Sequence, residues 1–331
     1  MVAPMMIEAT DAVGCGRIET QGPDAAVTNP EARRLLTRFA IGSGIELGPG
    51  HHPFKLPFGA ADVKYVDRWE PDENRRLFRE LGAEGAGFPQ PDIVANLDTD
   101  RLSAVADGSQ DFVIASHIIE HVAEPLGQLA DIHRVLRGDG AALILLPDRR
   151  YTFDRMREPT ALPHLIDEHR ARITEVSDEH IEDFLRKTGS WNASWSADDR
   201  RRQFDLHRKR SIHVHCWSQD EFLPVIEYTI REMGMRWQLL DAIFIEDVEE
   251  GFEFGFALRK TTADADPAAL TAHLRRSWQA LRERSRRNRD ERDQLRHGIE
   301  AERRLRRIQR LPGYATARAA YRLWRRMRVR R

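Results

Sequence analysis

Short apolar runs alternate with amphipathic stretches from about residue 29 to residue 260, and the alternation predicts strands and helices in turn. Ile45 and Leu47 read as the end of a buried strand that runs into Gly48-Pro49-Gly50. Two glycines one residue apart let a backbone turn tightly and approach a ligand closely. A second apolar run, Val63-Lys64-Tyr65-Val66, ends in Asp67. Further strands are predicted over 92–98, 111–116 and 141–146, the last stopped by Pro147. Asn29-Pro30-Glu31 supplies a cap, a proline and an acid, so a helix should start there and run to about Phe39. Another is predicted over 71–81, closed by Gly82, and a third over 125–136 with Leu126, Leu129, Ile132, His133 and Leu136 inward. Arg137-Gly138-Asp139-Gly140 reads as a turn. Strands alternating with helices at this rhythm imply a parallel sheet.

Two stretches break the rhythm. Residues 51–59 carry Pro53 and Pro57 and cannot form a regular helix, so the first crossover is a loop whose amides face the ligand without a helix terminus behind them. Residues 148–217 are rich in Arg, His and Asp and read as a mostly helical insertion over the ligand mouth. Ser218 opens another helix to about Met233, and two strands follow near 237–244 and 253–258. A dinucleotide-binding sheet does not usually end on such a late pair.

Size and composition narrow the classes. The 331 residues suffice for one large domain and an appendage, and 41% hydrophobic content supports a buried core. No apolar run reaches the roughly 18 residues that span a bilayer. Residues 1–28 show no periodicity, and the start lacks the charged-then-apolar order of a secretory signal. Cys15 and Cys216 are too few for a disulfide framework, which fits a reducing cytoplasm. The net charge of -1 hides an asymmetry, because residues 262–331 hold 21 arginines against 8 acidic residues. The basic tail implies an anionic partner, a membrane surface at the inner face, a protein, or its own acidic body; no nucleic-acid module accompanies the arginines. Leu274, Trp278, Leu281, Leu295 and Ile299 fall on heptad positions, but Ser285, Asn288 and Arg292 break the seam. After Leu311-Pro312-Gly313 a second helix would line up Ala317, Ala320, Trp324 and Met327 among arginines.

Five pieces in order carry a resemblance: Glu46-Leu47-Gly48-Pro49-Gly50, Asp67, Asp107-Gly108-Ser109-Gln110-Asp111-Phe112-Val113, Ser116-His117-Ile118-Ile119-Glu120-His121, and Arg134-Val135-Leu136-Arg137-Gly138-Asp139-Gly140. Over about residues 29–260 the chain resembles class I S-adenosylmethionine-dependent methyltransferases. That resemblance implies an α/β, Rossmann-like, doubly wound seven-stranded sheet, mostly parallel with one antiparallel strand; composition adds a basic helical tail over 261–331. The resemblance also implies that Glu46, Gly48, Pro49 and Gly50 meet the methionine part of S-adenosylmethionine and that Asp67 bonds its ribose. Asn96, Leu97 and Asp98 would hold the adenine, with Ser116 nearby. Two departures stand out: His52 takes the place of the third glycine, and the proline loop takes the place of a helix.

The acceptor is expected to be an oxygen or nitrogen nucleophile, with a cell-surface glycan sugar or a small molecule as the favoured classes. A general base would come from His117, Glu120 or His121, which leave the fourth strand where ligands bind. His117 could instead pack against cofactor, and Glu120 could cap a helix. His117-Ile118-Ile119-Glu120-His121 also matches a zinc-hydrolase pattern, but a strand running straight into it and the upstream glycine turn argue against that chemistry. His213 and His215 share a face if extended and, with His164, His169 or His180, could hold a metal or acceptor hydroxyls; no metal ligand is assigned. Asp148, Arg149 and Arg150 would rim the acceptor site or form a solvated cluster. Trp191 and Trp195, four apart on a helix, would stack on an acceptor or pack in the lid. The competing classes are a nicotinamide-dependent oxidoreductase and a scaffold recruited by its tail.

Overall fold

The computed structural model describes residues 30–310 except 58, 60, 80, 83–86 and 248–250. The expectations for residues 1–28 and for a helix after Pro312 lie outside the described residues. Seven strands, β1 (Gly42–Leu47), β2 (Ala61–Asp67), β3 (Ile93–Val94), β4 (Gln110–Ser116), β5 (Leu136–Pro147), β6 (Trp237–Ile243) and β7 (Glu253–Lys260), form one sheet in the order β3-β2-β1-β4-β5-β7-β6. All pairs are parallel except those of β7, which runs antiparallel to both β5 and β6. The sheet is therefore seven-stranded with one reversed strand.

Alternation along each strand sends side chains to opposite faces. Val113, Ala115, Ala142 and Ile144 join one core, with α3 (Pro125–Val135), α7 (Gln219–Arg231) and the first turns of α8 (Pro267–Gln309) packed over it. Phe112, Ile114, Leu143 and Leu145 join the other, against Leu36 of α1 (Pro30–Thr37) and Phe54 of the proline loop. Glu124 caps α3 by accepting the Gly127 amide at 2.6 Å, and Pro125 sits in the first turn. The α3 cap is thus Glu124 and not Glu120.

Several boundaries differ from the sequence reading. β3 is two residues long, not seven, since the chain turns polar and bends at Asn96. Arg137-Gly138-Asp139-Gly140 does not end an element: it bulges within β5, where Gln110 pairs with Leu136 but Phe112 pairs with Ala141. α2 (Pro71–Leu77) stops short of Gly82. The insertion contributes α4 (Leu162–Ala171), α5 (Asp178–Lys187) and α6 (Ala197–Arg210). Trp191 and Trp195 lie in the loop between α5 and α6, not on a helix, with ring centroids 5.6 Å apart. They pack on the insertion's own core of Val176, Ile181, Phe184 and Leu185, and Arg186 lies over Trp191.

The chain divides into two compact units, Met1–Arg282 and Glu283–Arg331. The break falls inside α8, later than the 260/261 boundary read from charge. The reason is packing: Trp278 stacks on Phe256 with ring centroids 4.8 Å apart, and Leu274 is fully buried beside it. Those heptad positions serve the sheet, whereas Leu295 and Ile299 are exposed. Among the described residues no helix is long and apolar enough to cross a membrane.

Candidate active site

A crevice opens at the carboxyl ends of β1 to β4, where open α/β sheets bind ligands. It encloses about 850 Å³ of non-atom space, part of it open solvent. Its floor holds Gly48 and Gly50 after β1, Asp67 at the tip of β2, Asn96, Leu97 and Asp98 after β3, and Ile118, His121 and Val122 after β4. Gly48 adopts φ +52°, and a methyl group there would collide with the Ile118 side chain. Lys209, Arg210 and Ser211, at the end of α6, close one side, and Arg68 ties that end down through the Arg208 carbonyl at 3.0 Å. The insertion therefore walls the crevice, as its position in the chain suggested.

Asp67 accepts the backbone amides of Arg68 at 2.6 Å and Trp69 at 3.4 Å through one oxygen. Burial raises its pKa, and it raises that of Asp98, whose Oδ1 accepts the Ala123 amide at 2.7 Å. His51, Phe78 and Phe88 form an aromatic side, with His51 and Phe88 rings 5.8 Å apart. The indole Nε1 of Trp69 is buried in the lining with no hydrogen bond. A buried donor left unpaired costs about 1–3 kcal/mol, so this one marks a place for an acceptor. Two carboxylates for hydroxyl or amine groups, an aromatic side for a base and a glycine floor suit a nucleoside that carries a charged tail.

Not every expected residue is there. Glu46 is buried, but it does not line the crevice; its Oε1 accepts the Phe54 amide at 2.8 Å and pins the proline loop. Burial pushes its pKa up to about 7. Pro49 and Ser116 do not line the crevice either. Asp148 is fully buried and binds Arg150 at 2.7 Å, while Arg149 pairs with Glu221 at 2.9 Å, so these residues brace the chain around β5 and α7. Conversely, Arg68, Trp69, His51, Phe78, Phe88 and Lys209 were not foreseen. Arg68 and Trp69 had a signal in their place directly after Asp67, His51 in the loop after Gly50 and Lys209 in the insertion, whereas Phe78 and Phe88 had none.

His117, Glu120 and His121 take three different roles. His117, at φ +56°, lies between two carboxylates, 3.0 Å from Glu253 Oε2 and 3.4 Å from Glu120 Oε1. Burial opposes its charge, but the two carboxylates overcome that and raise its pKa. Glu253 is also gripped by Arg33 at 2.8 and 2.6 Å; although burial works against ionisation, Arg33 and His117 bring it down to about 2. His117 is thus held between two carboxylates and does not line the crevice. His121 does. Its Nδ1 is 2.7 Å from the Ile212 carbonyl, which only an N–H can satisfy, so Nε2 carries the lone pair. That Nε2 makes no hydrogen bond and lies 3.8 Å from Glu120 Oε1. Burial lowers the pKa of His121 to about 4, so the ring is neutral at physiological pH. His213 stands beside it, ring centroids 4.8 Å apart, with its own Nδ1 on Asp154 at 2.5 Å. Ligand atoms of Glu120, His121 and His213 fall within 4.8 Å of one another, a trio that can take up a proton or a cation.

Comparison with known proteins gives one family match: the model described as a methyltransferase domain matches residues 27–223. No curated protein matches the chain. Among solved structures, a Pyrococcus horikoshii protein is 17% identical, with 69% of this chain and 87% of that one covered and a TM-score of 0.38. A possible histamine N-methyltransferase from Thermotoga maritima is 16% identical, covering 70% and 94%, with a TM-score of 0.35. A putative methyltransferase from Bacillus halodurans is 12% identical, covering 71% and 99%, with a TM-score of 0.38.

Proposed function

The chain belongs to the methyltransferase domain family, with S-adenosylmethionine as its cofactor, and on that footing we propose that it methylates an oxygen or nitrogen acceptor. When bound, S-adenosylmethionine supplies an electrophilic methyl group on a sulfonium. The chain would hold it with Asp67 and Asp98 at the ribose and adenine, and with the Gly48–Gly50 turn at the amino-acid end. Little covalent help is then needed, and positioning of the nucleophile supplies much of the barrier reduction.

The observation that carries the acceptor class is the unpaired Nε2 of His121, a residue that lines the crevice, beside the Glu120 carboxylate. A hydroxyl or ammonium acceptor must lose a proton as it is methylated. His121 takes that proton at Nε2, while the Ile212 carbonyl holds the opposite nitrogen in register. The Glu120 carboxylate, buried beside it, stabilises the imidazolium that forms. A carbon acceptor already activated would not require this pair. Lys209 on the crevice wall favours an acceptor that carries negative charge, as a sugar phosphate or a charged glycan unit would.

The test is a methyl-transfer assay on hydroxyl-bearing and amine-bearing acceptors with the wild type and His121→Gln. Loss of a general base costs typically about 10²–10⁴-fold in kcat. The expected result is a loss in that range with unchanged affinity for S-adenosylhomocysteine. A His121→Gln enzyme with full kcat would refute the assignment.

A further inference from the structure

A second histidine cluster lies in the insertion, and none of its members is among the residues lining the crevice. His164 and Glu168 stand one turn apart on α4, His180 faces them from α5, and His215 comes from the extended stretch between α6 and α7. His164 Nε2 and His180 Nε2 are 3.0 and 3.3 Å from Glu168 Oε1 and 3.1 Å from each other. His215 Nε2 is 3.5 Å from Glu168 Oε2.

Zinc binds imidazole nitrogen and carboxylate oxygen at about 2.0–2.2 Å, so the ligand atoms of a tetrahedral site lie about 3.3–3.5 Å apart. The separations here, 3.0 to 3.5 Å, bracket that edge. Hydrogen bonding within the cluster accounts for only part of it, the His164 Nε2–His180 Nε2 pair. Glu168 Oε2 and His215 Nε2 are buried against each other without a hydrogen bond, and His215 is wholly enclosed. An unpaired buried group of this kind is costly unless something else satisfies it. One outer contact can support a ligand set: His180 Nδ1 meets Ser177 Oγ at 3.0 Å, and in the tautomer with Nδ1–H donating to that oxygen the Nε2 lone pair points inward. Three imidazoles and one carboxylate suit zinc or a similar transition metal, whereas magnesium and calcium prefer oxygen.

We infer that His164, Glu168, His180 and His215 form a four-ligand site for a divalent transition-metal ion, zinc in the first place. The site closes the insertion on itself, joining α4, α5 and the 215 segment. It also bears on the crevice, because the His215 amide bonds the Glu120 carbonyl at 3.1 Å, next to His121. The ion is thus structural and fixes the 215 segment against the segment that bears His121, on which the proposed proton transfer rests.

The full-length protein is stripped with chelator, incubated separately with Zn²⁺ or Mg²⁺, desalted and measured by mass spectrometry for metal content. About one zinc per chain and no magnesium is expected, with a higher Tm for the zinc form. His164→Ala combined with His180→Ala should remove the zinc while circular dichroism stays native. Cobalt(II) should give the intense visible bands of tetrahedral coordination in the wild type and not in the double variant. Should the double variant fail to fold, His164→Ala alone, on the most exposed ligand, should weaken zinc binding at least about tenfold. Folded wild type that takes up no zinc overturns the inference. So does a double variant that keeps its zinc, which would place the ion at Glu120, His121 and His213 instead, or unchanged affinity in His164→Ala.

Discussion

Replacing Gly48 by alanine tests the crevice floor at one atom. Gly48 has φ +52°, a conformation that costs a residue with a Cβ about 1–2 kcal/mol. The added methyl also meets the Ile118 side chain, a flexible partner that must swing away, and Ile118 itself lines the crevice. The stability loss should therefore come mainly from the backbone, about 1–2 kcal/mol, or about 2–8 °C in Tm for a unit of this size. The binding loss should be larger, because the methyl and the displaced Ile118 both enter ligand space. A tenfold or greater weakening of S-adenosylhomocysteine binding, about 1.4 kcal/mol or more, is expected. Gly234→Ala separates the two effects: Gly234 is at φ +75° with open space around its missing Cβ, so it carries the backbone cost without the crevice. Differential scanning fluorimetry gives both Tm values, and titration calorimetry gives both affinities. If Gly48→Ala bound the nucleoside as tightly as Gly234→Ala, Gly48 would not be the floor of the site.

Acid should destabilise the fold before it reaches the ordinary carboxylate range. Burial holds His121, His133 and His207 to about 4, so between pH 6.5 and 4 the unfolded chain binds protons that the native chain refuses. Stability is then lost as pH falls, by up to about 3 kcal/mol for the fully buried His121 alone. Glu46, raised to about 7, Glu168, raised to about 8, and the raised Asp67 and Asp98 run the opposite way, against His51 and His180 on the histidine side as well; a urea midpoint no lower at pH 4.5 than at pH 7 would contradict this. Truncation separates the tail from the core. Removing residues 262–331 deletes Leu274 and Trp278, and loss of a buried Trp alone costs about 3–5 kcal/mol, so this chain should melt far below the wild type. Removing 283–331 keeps every one of those core positions and should leave a cooperative transition, and a truncation at 262 that melted like the wild type would refute the packing account.

The sheet was legible because strand and helix periods, glycine turns and Pro147 all act locally. Position along the chain was enough to place Gly48, Asp67 and Asp98 at strand tips, and hence in the crevice. What resisted was anything decided by packing between distant segments. Glu46 reads as a ligand contact from its motif, yet the proline loop that replaces a helix needs an anchor, and Phe54 takes its carboxylate. His117 reads as a base, but Glu253, itself held by Arg33 from the other end of the domain, takes its Nε2 and keeps the ring away from the crevice lining. Charge and packing also divide the tail at different points. Charge changes sign near Thr262, whereas the hydrophobic core claims the helix as far as Trp278. The histidine alternation at 213 and 215 was visible in the chain; that one would go to Asp154 and the other to Glu168 was not.

Calorimetric titration of the full chain with S-adenosylhomocysteine, beside Asp67→Ala, probes the nucleoside crevice most directly. The account predicts one site in the wild type and, because hydrogen bonds to a charged group contribute about 1.5–3 kcal/mol, about 10- to 150-fold weaker binding in Asp67→Ala. Folded wild-type protein that releases no heat and shows no shift in Tm with the nucleoside, or an Asp67→Ala chain that binds it equally well, would contradict the account.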